Sequence, residues 1–212
     1  MIRYILALTW AVSTVALAAA GDISKINGSI HVESGQESGD VSTVNGGIVV
    51  AEGARVRDVE TVNGSIRLED RVMAASAGTV NGSITTGEQV EVDGSVGTVN
   101  GGVELGKGTR VKGSLETVNG RMSLEAATVG GGLETVNGDI TVGANSRVDG
   151  GILVEKTQGW SVRKQRNPRI TIGAGAVVNG TLRFEREVNL YVSPSATIGQ
   201  IEGVSPVRQT LQ

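Results

Sequence analysis

The apolar residues of this chain return at fixed places in a repeat of 18 or 19 residues. Each repeat carries the residues Thr-Val-Asn-Gly or a close variant. Counted from the Val of this motif, apolar residues recur four and six positions later, as in Val62, Ile66 and Leu68. Alternation over a few residues, interrupted by Gly, predicts short strands with one buried face and disfavours helix. The motif begins at Thr43, Thr61, Thr79, Thr98, Thr117 and Thr135, with a diverged copy at Lys25.

A finer period of six residues predicts three short strands in each repeat. It is visible in the run Val50, Val56, Val62 and Leu68. Strands that stack on the same strands of the next repeat form a coil. We therefore predict an all-β fold, a three-sided, single-stranded parallel β-helix (β-solenoid) with about 18 residues per turn. Seven turns to about Asn145 and two or three more beyond it would give a rod roughly 40–50 Å long.

The motif is predicted to form one corner of each turn. We expect its Val to point inward and its Thr and Asn to point outward or to lie at the corner. We expect its Gly to supply a positive φ at the corner. Stacked Asn side chains can then hydrogen-bond along the rod as an amide ladder. The predicted structural Asn column consists of Asn27, Asn45, Asn63, Asn81, Asn100, Asn119 and Asn137.

The repeat pattern divides the chain into five segments. Residues 1–20, with a positive start, an apolar run and a small-residue cleavage site, are predicted to be a signal peptide. Residues 21–154 form the repetitive solenoid, 155–169 an inserted basic loop, 170–204 the C-terminal turns and cap, and 205–212 a tail. We expect Phe184 and Tyr191 to cover the C-terminal end, and we expect the N-terminal end to have no such cover.

Composition supports an exported protein with a narrow interior. The chain has no Cys, which excludes disulfides and thiolate metal sites. Its net charge of −3 becomes −4 without the signal peptide, which gives no indication of nucleic-acid binding. After residue 20 the aromatic rings are Trp160, Phe184 and Tyr191 only, so aliphatic side chains must fill most of the core. We expect the mature chain in the periplasm or at the cell surface.

The basic loop is the candidate ligand site. It has five basic residues, one acid and a Trp. Such a patch could bind an anionic envelope glycan or lipid head group, and the alternative is a solvated excursion from the rod. The candidate patch consists of Trp160, Arg163, Lys164, Arg166 and Arg169.

Two bacterial families have similar repeats. The stretches from Leu105 to Leu115 and from Ile172 to Leu182 resemble the hexads of bactofilins, which are polymer-forming cytoskeletal proteins. The Glu-Thr-Val-Asn-Gly units resemble the secreted "putative adhesin" β-solenoid domain. The resemblance covers most of residues 25–203. It implies a right-handed coil, and the bactofilin likeness suggests association through the ends. Because bactofilins work in the cytoplasm, the predicted signal peptide departs from their pattern.

The sequence favours a structural or adhesive protein over an enzyme. The hexads also resemble those of hexapeptide acyltransferases, which use a His base, but the lone His31 of this chain lies in its first turn. The acids are scattered, so we expect no catalysis, no metal and no cofactor. A second binding hypothesis is a flat outward Thr-x-Asn array that binds a repetitive surface. The predicted partners are a second copy, through the ends, or an envelope polymer.

Overall fold

The computed structural model describes residues 21–156 and 166–210, and these residues contain strands and no helix. The predicted signal peptide therefore lies outside the described residues. Within the described part of the chain, no helix is long and apolar enough to cross a membrane. All strand pairs are parallel and join each turn to the next, which confirms the predicted β-solenoid.

Three columns of strands form the three sides of the coil. The motif face holds the Thr-Val-Asn strands, the second face follows the motif, and the third face completes each turn. The motif face contains β1 (Ile23–Asn27), β3 (Val41–Asn45), the second halves of β5 (Arg55–Asn63) and β7 (Met73–Asn81), β10 (Val96–Asn100), β13 (Leu115–Asn119), β16 (Gly132–Thr135), β19 (Gly151–Val154), β22 (Leu182–Phe184) and β25 (Ile201–Gly203).

The second face is a separate sheet of ten strands. It contains β2 (Ile30–Val32), β4 (Ile48–Val50), β6 (Ile66–Leu68), β8 (Ile84–Thr86), β11 (Val103–Leu105), β14 (Met122–Leu124), β17 (Ile140–Val142), β20 (Arg169–Ile172), β23 (Asn189–Val192) and β26 (Val207–Thr210). The third face contains the first halves of β5 and β7, followed by β9 (Glu91–Val92), β12 (Arg110–Val111), β15 (Thr128–Val129), β18 (Arg147–Val148), β21 (Val177–Val178) and β24 (Thr197–Ile198).

The register shows where the repeat is regular and where it is interrupted. Asn27 pairs with Asn45, a step of 18 residues, and Asn81 pairs with Asn100, a step of 19. The step from Ile140 to Ile170 is 30 residues. The extra residues lie between β19 and β20, so the predicted loop leaves the rod at the corner that the motif occupies in the turns below.

The interior is narrow and mostly aliphatic, as the composition predicts. In the second-face strands from β2 to β20, two residues of each strand point inward and are buried, for example Ile66 and Leu68. Buried polar side chains have partners: Thr86 and Thr109 share a hydrogen bond of 3.1 Å between their hydroxyl oxygens. Among the described residues, no buried side-chain N or O atom lacks a hydrogen bond. Burial of the apolar columns between turns therefore supplies the main stabilisation.

Two predictions for the C-terminal end are wrong. Phe184 does not cover the end, because it is fully buried in the motif column and pairs with Gly203 of the next turn. Tyr191 lies on the outside of β23. The segment 205–212 is not only a tail, because β26 adds a last strand to the second face and pairs Arg208 with Leu190. The apolar pattern did not predict this strand because the polar Arg208 takes the inward register position above Leu190.

The predicted role of the motif Gly is also wrong in most turns. Only Gly28 of the first copy has a positive φ, of 104°. At the other corners the reason for Gly is close packing between turns. A Cβ on Gly82 would overlap the carbonyl oxygen of Gly64 one turn below, and a Cβ on Gly64 would overlap that of Gly46. The backbones therefore touch at this corner, and only Gly allows the contact.

This packing predicts opposite effects for two neighbouring Gly residues. Gly82→Ala should lower the free energy of unfolding by about 3 kcal/mol or more, because the backbones must move apart. Gly78→Ala, in the same strand region, has no atom within 4 Å of the added Cβ and serves as the control. It should leave stability unchanged or raise it by about 0.5 kcal/mol. Denaturant unfolding of both variants checks this, and equal losses would contradict the close-packing explanation.

Candidate functional site

The seven motif Asn residues form one continuous amide ladder, as predicted. Each Nδ2 donates to the Oδ1 of the Asn one turn earlier, over distances of 2.9–3.1 Å. The ladder runs from Asn27 to Asn137 along the outside of the corner. Because every amide points the same way, its dipoles align, with the donor end at Asn27 and the acceptor end at Asn137.

A second ladder lies inside the same corner and corrects the predicted orientation of the motif. The motif Thr residues are buried, with Thr61 and Thr79 each 3% exposed. Their hydroxyls donate to the carbonyl oxygen of the motif Gly one turn earlier, as Thr79 does to Gly64 at 2.9 Å. The same bond recurs at Thr43, Thr61, Thr98 and Thr117, at 2.9–3.3 Å.

The motif Val residues therefore lie on the outside of the rod, where most are half-buried. The prediction that Val points inward is wrong, and so is the flat outward Thr-x-Asn array. Thr and Val have nearly the same shape, so either can fill the inward position. The inward position takes Thr because a buried hydroxyl finds a carbonyl partner there. With Thr43 and Thr61 inside, the array that could bind a repetitive surface does not exist.

The base of the inserted loop is fixed to the rod by a carboxylate. Arg166 donates two hydrogen bonds to Asp139, at 3.0 and 3.1 Å, in a bidentate ion pair. The backbone N–H of Arg169 also donates to Asp139, at 2.8 Å. Trp160, Arg163 and Lys164 of the candidate patch lie outside the described residues. Of the two patch residues that are described, Arg166 is already engaged with a carboxylate.

A second arginine joins the loop base to the acceptor end of the Asn ladder. Arg186 donates to Oδ1 of Asn137 at 2.8 Å and to the carbonyl oxygen of Val136 at 3.2 Å. It also donates to the carbonyl oxygen of Arg166 at 3.2 Å. A cation at the negative end of aligned dipoles is favourable. Desolvation by burial lowers the pKa of Arg186, which remains protonated at any physiological pH.

The remaining patch residue, Arg169, is exposed and has an aromatic neighbour. The guanidinium carbon of Arg169 lies 5.4 Å from the centroid of the Tyr191 ring, within the range of a cation–π contact. Both side chains project from the second face, where the register pairs Thr171 with Tyr191. The described loop residues and this face thus form one continuous set of contacts.

Asp139 and Arg186 were missed by the sequence reasoning. Asp139 had a detectable signal, because the position two residues after the motif Asn carries Ser or Gly in most turns, as at Ser65 and Ser83. A carboxylate there, followed by a strongly basic insertion, indicates an ion pair. Arg186 had no such signal, since it reaches Asn137 from 49 residues away in the sequence.

The other polar side chains of the surface are arranged in stacked pairs. On the third face, Lys112 and Asp93 lie 2.6 Å apart, and Arg110 and Glu91 lie 3.9 Å apart. His31 is half-exposed, and its Nε2 lies 3.8 Å from a carboxylate oxygen of Glu33. In residues 21–156 and 166–210, no group of three or more His, Asp or Glu side chains could hold a metal ion.

Like charges also meet on the motif face. The register pairs Glu116 with Glu134 in adjacent turns. Partial burial, followed by the charges of Glu116 and Glu155, raises the pKa of the Glu134 carboxyl. Burial, with the charges of Asp58 and Asp40, likewise raises the pKa of Glu60. A carboxyl whose pKa is raised by folding destabilises the folded state at neutral pH. The acids at Glu60 and Glu134 therefore lower the stability of the rod slightly, in contrast to the hydrogen-bonded ladders.

The two ends of the rod differ from the interior and from each other. At the C-terminal end, Leu190, Val192 and Ile198 line an open cavity of about 290 Å³, with Arg208 and Gln209 also lining it. At the N-terminal end, Ile30 and Val32 are only 2% and 0% exposed. In the first strand of this end, however, Ile26 is 73% exposed, and the expectation that the end lacks a cover stays a prediction.

The loop base predicts a pH-dependent contribution to stability. Partial burial raises the pKa of Asp139, but the hydrogen bonds of Arg166 and the Arg169 N–H, with the charges of Arg166 and Arg121, outweigh it and lower the pKa overall. A lowered carboxyl pKa stabilises the fold above the unfolded value of about 4, and this contribution is lost as the pH falls through the folded pKa.

Asp139→Asn should therefore lower the free energy of unfolding by about 1–3 kcal/mol at pH 7, and by less below about pH 4. Asp93→Asn is the control, because its ion pair with Lys112 is exposed to solvent and should contribute little to stability at either pH. Urea unfolding of both variants and the unaltered protein, at pH 7 and below about pH 4, measures the loss of stability at each pH. A loss for Asp139→Asn that does not change with pH would contradict the assigned ion pair.

No protein-family model, curated protein or solved structure matches this chain. The likeness to bactofilins and to the secreted adhesin domain therefore stays a prediction from the repeat pattern. The β-solenoid itself rests on the strand pairing.

Proposed function

We propose that the protein is a non-enzymatic, exported β-solenoid with a structural or adhesive role in the bacterial cell envelope. The observation that carries this proposal is the use of the repeated motif. Its Thr, Asn and Gly make contacts between successive turns of the rod, as Thr79, Asn81 and Gly82 do. The repeated motif thus serves to stack the turns into a long, regular rod.

The polar groups that could have supported other functions are largely engaged. Asp139 accepts from Arg166 and Arg169, and the stacked acids and bases of the third face pair with each other. An acyltransferase role through His31 has no supporting contact beyond its approach to Glu33. Binding of an anionic envelope polymer by the basic loop stays a prediction, because most of its patch lies outside the described residues.

The sequence predicts that the chain binds a second copy of itself through the ends of the rod. Charged residues in the two end turns would affect this association. The register places Arg208 in the inward column above the buried Leu190. It places Lys25 in the position that Thr43 fills in the next turn, and Lys25 donates to the carbonyl oxygen of Ser29 at 2.8 Å. A second rod stacked end to end would bury these cations.

Burying an unpaired cation costs several kcal/mol, and inward-pointing charges are a known protection of exposed strand edges. We therefore propose that Lys25 and Arg208 limit end-to-end association of the mature protein. The rod then acts mainly as a finite unit, and longer assemblies require these cations to be neutralised or displaced.

The test is expression of the full chain in a bacterium, followed by mass spectrometry and electron microscopy of the protein from the envelope fraction. We expect a mature chain that begins at Gly21 and forms separate rods roughly 45 Å long. A chain that retains Met1 and stays in the cytosol would refute the export and envelope role.

The same microscopy tests the control of assembly. The double variant Lys25→Thr and Arg208→Val should lengthen the particles, whereas Arg183→Val, on the outward side of β22, should not. Filaments of the unaltered protein, or single rods of the double variant over a wide concentration range, would contradict the proposed role of the two cations.

A further inference from the structure

The repeat gives the chain eight Asn-Gly pairs, the sequence in which the side-chain amide of Asn is hydrolysed most easily. The backbone nitrogen of the Gly can attack Cγ of the preceding Asn, because Gly has no side chain to obstruct the approach. The eight pairs are Asn27-Gly28, Asn45-Gly46, Asn63-Gly64, Asn81-Gly82, Asn100-Gly101, Asn119-Gly120, Asn137-Gly138 and Asn179-Gly180.

In six of these pairs the fold holds the attacking nitrogen in a hydrogen bond. The N–H of Gly82 donates to the carbonyl oxygen of Asn100 in the next turn at 3.1 Å, and the N–H groups of Gly28, Gly46, Gly64 and Gly101 make the same bond at 2.8–3.1 Å. The N–H of Gly138 donates to the hydroxyl of Thr135 at 2.8 Å. Attack requires this hydrogen bond to break, so it slows the reaction.

Two pairs lack this protection. Within the described residues, the N–H groups of Gly120 and Gly180 donate no hydrogen bond. Both Asn119 and Asn179 have exposed side chains. They therefore combine access to water with an unbonded nucleophile.

The exception at Gly120 follows from the interruption of the repeat. The corner above it is the last motif corner, and the corner above that is where the loop leaves the rod. At the last motif corner, β16 ends at Thr135, Gly138 turns its N–H to the hydroxyl of Thr135, and Arg186 donates to the carbonyl oxygen of Val136. Beneath this altered corner, the N–H of Gly120 does not make the bond to the Asn carbonyl of the next turn that the N–H groups of Gly82 and Gly101 make.

We propose that Asn119 and Asn179 are the deamidation sites of the folded protein, and that the solenoid protects the other six pairs. The nitrogen of Gly120, after loss of its proton to base, forms a bond to Cγ of Asn119, and Nδ2 leaves as ammonia. Water then opens the succinimide ring at either carbonyl to give Asp or isoaspartate. The same steps apply to Gly180 and Asn179.

Both products would disturb the contacts described above. Asn119 donates to Asn100 at 3.1 Å and accepts from Asn137 at 2.9 Å. A carboxylate there keeps the acceptor and loses the donor, which breaks the amide ladder. Asn179 donates to a carboxylate oxygen of Asp149 at 2.7 Å, so its carboxylate product would repel that group. Deamidation of the rod thus begins in its C-terminal half, at Asn119 and Asn179.

The test is peptide mapping by mass spectrometry during incubation of the folded, full-length mature chain at mildly alkaline pH. Asn119 and Asn179 should convert about tenfold or more faster than Asn81 and Asn100, because opening a protected turn is slow. Asn100 is a matched control, with the same Thr-Val-Asn-Gly context and an exposed side chain. In concentrated urea the eight rates should agree within about twofold.

Three results decide the matter. Conversion at Asn119 and Asn179 that is selective in the folded state and not selective in urea supports the proposal. Equal rates for Asn119 and Asn81 in the folded protein overturn it. Fastest conversion at Asn27, whose side chain has one ladder bond instead of two, would also overturn it, because protection would then come from the side-chain ladder. Asn119→Gln should abolish the signal at that position.

Discussion

Contact between backbones at one corner of each turn is the constraint on which the rest of the rod depends. The motif Gly lies against the carbonyl oxygen of the Gly below it, as Gly82 does against Gly64. This approach places a carbonyl within reach of the inward Thr hydroxyl and sets the outer Asn side chains at hydrogen-bonding distance. The motif Thr-Val-Asn-Gly therefore forms an inner ladder of Thr hydroxyls and an outer ladder of Asn amides. The motif recurs because each turn must match the turn below it.

Charged side chains make the contacts where the motif corner is absent. The loop replaces the motif corner above Asn137, and Arg186 with the Asp139–Arg166 pair occupies the position of the missing turn contacts. At the ends, Arg208 and Lys25 occupy inward register positions. Arginine suits the loop base because its planar group can bond to several oxygens at once. Among the described residues, the buried polar side chains of the interior are Ser and Thr only, whereas Lys25, Arg186 and Arg208 lie at the ends and at the interruption.

The sequence predicted the coil, its three faces, the Asn column and the insertion, because these follow from periodicity. It could not predict which motif residue points inward, since Thr79 and Val80 are both β-branched and the strand ends at the corner. It could not distinguish a Gly needed for positive φ from a Gly needed for close approach. The contact of Arg186 with Asn137 depends on the three-dimensional path of the chain, and β26 was hidden by the polar Arg208 at an inward position.

The central claim is that Thr faces the interior and Val the outside, so that each corner is held by a buried hydroxyl. Denaturant unfolding of Thr79→Val and Val80→Thr tests it most directly. Thr79→Val should lower the free energy of unfolding by about 1 kcal/mol, because the carbonyl of Gly64 loses its donor. The half-exposed Val80 should tolerate the change to Thr, with stability altered by no more than about 0.5 kcal/mol. The opposite order, with the larger loss at Val80, would contradict it.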